Sequence, residues 1–282
     1  MIARAPASSA NLGPGFDTLA IALALYVEVS VEPADQFSIE TEGCGAGRFD
    51  DERHLAARVA RGVLGHDRFA LHVNSSIPLS RGLGSSAALA IAAAAAAGAS
   101  DPLAVAADID GHAENAAASV LGGFVVASRS EEHGVVARRL DLDEVWRFVV
   151  VVPDEELSTA DARRALPTSV SFGDVVANLN AMGLLIAGLA HHDDFVDWSM
   201  DDALHQPYRA GLLSFADGLL ARLRESGAAA SSWSGAGPSM LGLVTNETAD
   251  DVALAAKEFL HARSIPGEVY LLDADRAGLV IR

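Results

Sequence analysis

Lysine is almost absent from this chain. Lys257 stands alone among 282 residues, and Lys and Arg together number 20 against 38 Asp and Glu, for a formal charge of −18. That balance excludes the basic footprint of a nucleic-acid binder. It also sets any arginine that serves an acidic ligand against a negative background. A single cysteine, Cys44, excludes a disulfide framework. The first residues, Met1-Ile2-Ala3-Arg4-Ala5-Pro6, lack the apolar stretch of a signal peptide. The longest apolar run, Ala87 to Ala97, is too short and too alanine-rich for a membrane span. A soluble, cytoplasmic protein without a membrane partner is expected. Half of the residues are hydrophobic, enough for a substantial core.

Strand and helix patterns alternate along the chain. "IALALYVEVSV" (Ile21–Val31), "FSIETEG" (Phe37–Gly43) and "FALHVNSSI" (Phe69–Ile77) read as strands from their alternation and β-branched content. His54 to Gly65 has apolar residues at helical spacing and a closing glycine. Ala87–Ala97 reads as a buried helix, and Asp101 opens another with Pro102 in its first turn. Val120–Ser128 turns into a strand. The character resets at "RFVVVVPD" (Arg147–Asp154), a strand type buried on both faces. Beyond it come a helix at "STADARRAL", a long apolar helix at Val175–Leu189 that leaves room for a homodimer, and a strand–glycine turn–strand unit at Ala228–Val244. Two mixed halves, 1–150 and 151–282, are expected.

Three segments concentrate Gly, Ser and Asn: "APASSANLGPGFD" (Ala5–Asp17), "IPLSRGLGSSAALA" (Ile77–Ala90) and "WSGAGPS" (Trp233–Ser239). One such loop is an ordinary turn, since glycine serves any tight bend. Three suggest backbone brought close to a ligand. The central one runs straight into a helix, which makes an anion cradle from unpaired amides and the positive end of the dipole. A phosphate loop of the common G-x-x-x-x-G-K-[ST] type would carry a lysine there, and this one has none. Gly82 and Gly84 can turn successive N–H groups inward as a nest, with Ser85 and Ser86 expected to cap the helix. A divalent metal would supply the remaining charge. Magnesium takes hydroxyl, carboxylate and phosphate oxygens. Ser86 can be one ligand, and "ADIDGHAEN" (Ala107–Asn115) offers Asp108, Asp110 and Glu114 as carboxylates.

In order, "PASSANLGPGFD", "PLSRGLGSSAA", "GHAENAAASVLGG" and "SGAGPS" resemble the motifs of the GHMP small-molecule kinases. "STADARRALP" (Ser158–Pro167) and "DDALHQPYRAGL" (Asp201–Leu212) are similar to segments of the homoserine kinases within that superfamily. The resemblance implies an α+β, two-domain GHMP kinase fold: an N-terminal nucleotide domain like domain 2 of ribosomal protein S5, and a C-terminal ferredoxin-like domain. It implies ATP, with Mg2+, as phosphoryl donor and the hydroxyl of L-homoserine as acceptor, on the route to threonine. The alternatives are a mevalonate or sugar kinase of the same superfamily, and a member that binds nucleotide or amino acid without turnover.

The resemblance assigns roles by position. Pro78, Arg81, Gly82, Leu83, Gly84, Ser85, Ser86 and Ala87 fall on the ATP-phosphate segment. Arg163 and Arg209 fall where the substrate carboxylate is bound, a task that suits a planar fork of donors, while Arg164 is expected to face solvent. Asp17 suits the ammonium or the hydroxyl, Asn11 the orientation of substrate, and Gly235 the backbone beside it. His112 and Asn115 face substrate or the γ-phosphate, and Asp17, Asn115 and Ser86 form the expected catalytic set. No clean base stands out, and phosphoryl transfer depends mainly on positioning. The chain departs from the family pattern at Asp110, where a glutamate is usual, at Glu114, where an aspartate is usual, and at His54, where an asparagine often opens the helix. Asp110 is the favoured metal ligand with Ser86, and Asp108 and Glu114 remain open.

Overall fold

The computed structural model describes residues 1–282 except for the side chain of Asp110. It contains two sheets. The first is formed by β1 (Ile2–Asn11), β2 (Gly15–Pro33), β3 (Ser38–Gly43), β4 (Phe69–Ser75), β5 (Phe124–Ser130), β6 (Gly134–Leu140) and the last strand of the chain, β11 (Val280–Ile281). The 19-residue β2 organises it. It pairs with β1 along its length, with β4 through Val27–Pro33 and with β5 through Leu19–Ile21. The short β11 lies on the outer edge of β1, and so covers backbone groups that would otherwise be exposed.

The first glycine-rich segment is a strand and a hairpin rather than the expected loop. β1 runs through "APASSAN" and turns at Leu12–Pro14 into β2. Its small polar residues show no alternation of polarity, yet both faces of β1 are buried, so pairing with β2 decides the strand.

Helix α1 (Leu55–Leu64) begins at His54, whose Nδ1 accepts from the Ala56 amide, and ends at Gly65 with φ 72°. Helix α2 (Ser85–Ala96) is apolar all round, and its alanines are buried on every face. Such a helix belongs in a core, and the small side chains let α1, α3 (Pro102–Asp110), α4 (Ala113–Leu121), β1 and β2 approach closely. As expected, Asp101 caps α3 through the Ala104 amide, with Pro102 in the first turn.

The second sheet takes β7 (Arg147–Pro153), β8 (Ala230–Trp233), β9 (Met240–Val244) and β10 (Gly267–Asp273) in the antiparallel order β10-β7-β9-β8. In order of appearance that is 4-1-3-2, the ferredoxin-like arrangement the resemblance implies. The valine run of β7 serves two cores at once. Phe148, Val150 and Val152 join the core of the first sheet, while Val149 and Val151 pack under α8 (Ala216–Glu225) and α9 (Ala249–Ala262). A strand period of two therefore explains an unbroken apolar run.

Among the described residues, three more α-helices lie between β7 and α8: α5 (Thr159–Arg164), α6 (Phe172–Ala190) and α7 (Gln206–Arg209). With 19 residues, α6 is the one helix among the described residues long and apolar enough to cross a membrane. It nevertheless packs on the core through Leu185 and Leu189, and its buried Asn178 donates to the Pro14 carbonyl at 2.7 Å. Its outward residues Phe172, Val176 and Leu179 are exposed.

Candidate active site

A cavity of about 300 Å³ opens where the β1–β2 hairpin, the start of α2, α5, α7 and the β8–β9 turn converge. One wall is the glycine turn before α2. Gly82 and Gly84 have φ of 73° and 62°, a region open to glycine at little cost. Gly84 is itself the N-cap of α2, and no side chain caps the helix. This corrects the expectation for Ser85 and Ser86, which are the first two helical residues. A glycine cap turns the chain without filling the space in front of the first-turn amides, so the cavity reaches Gly84, Ser85 and Ser86 and the helix end is offered to an anion.

The turn is clamped from two sides. The Ser234 hydroxyl donates to the Gly82 carbonyl at 2.7 Å, and the Ser8 amide to the Leu83 carbonyl at 3.1 Å. Ser8 Oγ also donates to Asn115 Oδ1 at 2.8 Å, and Asn115 Nδ2 to Glu114 Oε1 at 3.0 Å. Glu114 is 3 % exposed and lines the cavity with Ser86, His112 and Asn115. His112 is the N-cap of α4. A buried carboxylate beside a hydroxyl on the wall of a phosphate cradle fits a hard, oxygen-ligated cation. Asp108 does not share that wall: it is exposed and paired with Arg129 at 2.7 Å. Asp110 closes α3, and its side chain lies outside the described residues.

The opposite wall carries charge of both signs. Arg163 Nη2, on α5, contacts both Asp17 oxygens at 2.8 and 2.9 Å. The two positions are 146 residues apart in sequence. Asp17 and Asn11 both hold left-handed backbone, with φ of 51° and 74°. Such strain of about 1–3 kcal/mol per residue persists where the surroundings overdetermine it. Here Asn11 supplies the constraint. Its Oδ1 accepts from the Asp17 amide at 3.0 Å and its Nδ2 donates to the Gly235 carbonyl at 2.8 Å. A register shift in β1 between Ala10 and Asn11 turns that side chain across the hairpin.

Arg209 is 2 % exposed and lines the same cavity. Its Nε donates to the Ala162 carbonyl at 3.3 Å, and its Nη1 to the Gly235 carbonyl at 3.1 Å and towards His205 Nδ1 at 3.1 Å. Nη2 has no protein partner among the described residues. Burial pushes the guanidinium down to about 10, with Asp17 acting in the opposite sense and Arg163 adding to the depression. It stays protonated at neutral pH, so the wall offers a buried, oriented donor to an anion.

Most of the expected site residues therefore meet. Asn11, Asp17, Arg81, Gly82–Ser86, His112, Asn115, Arg163, Arg209 and Gly235 line the one cavity. Two do not. Pro78 borders a separate cavity with Cys44 and Tyr270, and Ala87 is buried in the core behind the turn. Arg81 donates to the Asp154 carbonyl at 2.8 Å and so ties the turn to the second sheet. Arg164 is exposed and pairs with Asp161, as expected of a solvent-facing neighbour. Phe16 and His205 were missed. The Phe16 ring lies 5.6 and 5.3 Å from the guanidinium carbons of Arg163 and Arg209 and stacks on His205 at 5.0 Å. His205 had a readable signal, since it stands four residues before Arg209, about one helical turn away, and is the N-cap of α7. Phe16 had none.

Residues 53–123 match the GHMP kinases N terminal domain family, and residues 180–262 the GHMP kinases C terminal family. The homoserine kinase of Desulfitobacterium hafniense is 36% identical over 293 residues, covering 99% of this chain and 98% of that protein. That of Corynebacterium efficiens is 40% identical, covering 90% and 88%. Among solved structures, the homoserine kinase of Cytophaga hutchinsonii superposes with a TM-score of 0.87 at 28% identity, over 100% of this chain and 97% of the other. A mevalonate kinase from L. major shares the fold, with a TM-score of 0.74 at 14% identity. The chain belongs to the homoserine kinase family of the GHMP kinases.

Proposed function

We propose that this protein transfers the γ-phosphoryl group of ATP to the hydroxyl of L-homoserine, giving O-phospho-L-homoserine and ADP on the route to threonine in the cytoplasm. One observation carries the reading: a phosphate cradle and an arginine–aspartate wall face each other across a single cavity. Homoserine is a zwitterion with a hydroxyl at its far end. Its carboxylate takes the donors of Arg209 and Arg163, and its ammonium takes Asp17. The Asp17–Arg163 pair is half-exposed, so exchanging it for contacts to a zwitterion costs little. Mevalonate has a carboxylate and no ammonium and would leave Asp17 without a counterion.

So held, the hydroxyl points towards the glycine turn. The substrate oxygen bonds to the γ-phosphorus as the bond to the β-phosphate oxygen breaks. The hydroxyl proton leaves late, directly or through the transferred phosphate, and Asp17 orients rather than abstracts. Asn115, fixed by Ser8, and His112 face the transferred group. Ser86 and Glu114 would hold Mg2+, and Asp110 remains the ligand expected from the family pattern. When bound with the nucleotide, the ion would neutralise phosphate charge at a turn that carries no lysine. The exposed Phe172, Val176 and Leu179 of α6 support a homodimer.

ADP release from Mg-ATP with L-homoserine, D-homoserine, mevalonate, L-threonine and galactose tests the reading. Turnover with L-homoserine alone is expected. Preference for mevalonate or galactose, or nucleotide binding with no acceptor used, would overturn it. Asp17→Asn is expected to raise KM for homoserine about tenfold, the worth of one charged contact, with kcat within about threefold. An unchanged KM with collapsed kcat would make Asp17 the base.

A further inference from the structure

We infer that His205 is a positioning residue for Arg209, and that its neutral form is what holds the guanidinium in its carboxylate-binding orientation. The inference rests on the homoserine reading above. His205 is fully buried, and its two ring nitrogens have partners of opposite kind. Nε2 lies 2.9 Å from the Gly13 carbonyl, which can only accept, so Nε2 carries the proton. Nδ1 lies 3.1 Å from Arg209 Nη1, which can only donate, so Nδ1 is bare. The neutral Nε2–H tautomer satisfies both contacts. A second proton would aim one N–H at another and place a cation beside a buried cation.

The surroundings make this arrangement specific. Asp202 lies 3.4 Å from Nε2, but its oxygens already accept from the amides of Leu204, His205 and Gln206 at 2.9, 3.0 and 2.6 Å. From the hairpin, the Phe16 ring covers one face of the imidazole at 5.0 Å and Asp17 contributes its charge; Arg209 and Arg163, 5.3 and 5.6 Å from the Phe16 ring, complete the charged groups around it. Burial pushes the imidazole below its ordinary value of 6.5; Asp202 and Asp17 pull it up, and Arg209 pushes it further down. Through Gly13 the ring also joins Arg209 to the hairpin that delivers Asp17. One side chain thus couples the carboxylate and ammonium ends of the substrate site.

The sign follows from these contacts. As pH falls below the ordinary imidazole range, His205 gains a proton and Arg209 Nη1 loses an acceptor. KM for homoserine is expected to rise about tenfold, the scale of one hydrogen bond to a charged group, while KM for ATP and kcat hold. The experiment measures both KM values and kcat between about pH 4.5 and 8.5 for the wild type and for His205→Gln, whose amide can donate and accept but does not titrate in that range. The expected result is an acid limb in homoserine KM that His205→Gln flattens. Ring nitrogen NMR shifts, read without substrate, should report Nε2–H and a proton gained over the same pH interval as the acid limb. An acid limb kept by His205→Gln, a flat wild-type KM, or an Nδ1–H tautomer would overturn the inference alone. No homoserine turnover by the wild type at any pH would overturn the kinase reading and this inference with it.

Discussion

Arg209→Ala is expected to lower kcat/KM for L-homoserine by about 10³-fold with ATP affinity unchanged. The size follows from the setting: the two N–H groups of Nη2 are free to make charge-assisted hydrogen bonds in a buried site, worth about 4 kcal/mol together. Nε and Nη1 are held by Ala162, Gly235 and His205, so the guanidinium reaches the cavity already oriented and loses little freedom on binding. Arg209→Lys keeps the charge but has no second arm to hold its direction, and should recover only part of the loss. Steady-state kinetics with each substrate varied in turn make the measurement, and thermal unfolding checks that the variants fold. Loss of ATP affinity alongside homoserine affinity would mean that Arg209 braces the whole cleft. Undiminished kcat/KM would remove it from the substrate site.

Gly82→Ala is expected to weaken the protein itself. At φ 73°, a Cβ on Gly82 would land on the Ser234 carbonyl and within 3.0 and 3.1 Å of the Gly237 carbonyl oxygen and amide nitrogen. Those atoms are backbone and cannot swing aside as a side-chain tip can. Left-handed strain adds about 1–2 kcal/mol and overpacking about 1–3 kcal/mol, for a fall in Tm of roughly 5–10 °C. Because the displaced contact is the one that clamps the phosphate turn against the second sheet, KM for ATP should rise at least about tenfold. Gly98→Ala is the control. Gly98 also has positive φ, 87°, but nothing lies within 4 Å of its Cβ position, so only the backbone term of about 1–2 kcal/mol applies. Equal losses at the two positions would show that conformation alone, and not the approach of the two loops, governs Gly82.

Much of this was legible along the chain. The helix from His54 to Gly65 was legible in its apolar spacing and closing glycine, and α2 announces itself as a buried helix behind a glycine turn. The valines of β7 read correctly as a strand covered on both faces. Other features were not legible. "APASSAN" has neither alternation nor bulk, and becomes a strand only because β2 pairs with it along its whole length. Ser85 and Ser86 have the chemistry of helix caps, yet Gly84 takes the position because Ser8 and Asn115 pack where a cap side chain would stand. Arg163 was read for its affinity for a carboxylate, and in the folded chain that carboxylate is Asp17.

What the sequence by itself determined is local: the alternation of strands and helices, the glycines that permit left-handed turns, and the acidic, lysine-poor background in which arginine must serve. These depend on a few neighbouring residues, whose sterics and periodicity act within one or two turns of chain. Only the tertiary structure decided which of those local pieces face one another. Asp17 meets Arg163 across 146 residues, and Gly82 meets Ser234 across 152. Such pairings are set by how two sheets bury their apolar faces around α2 and β7, a sum over many contacts with no short-range signature. The Asp17–Arg163 pair and the buried Arg209 beside His205 are products of that packing.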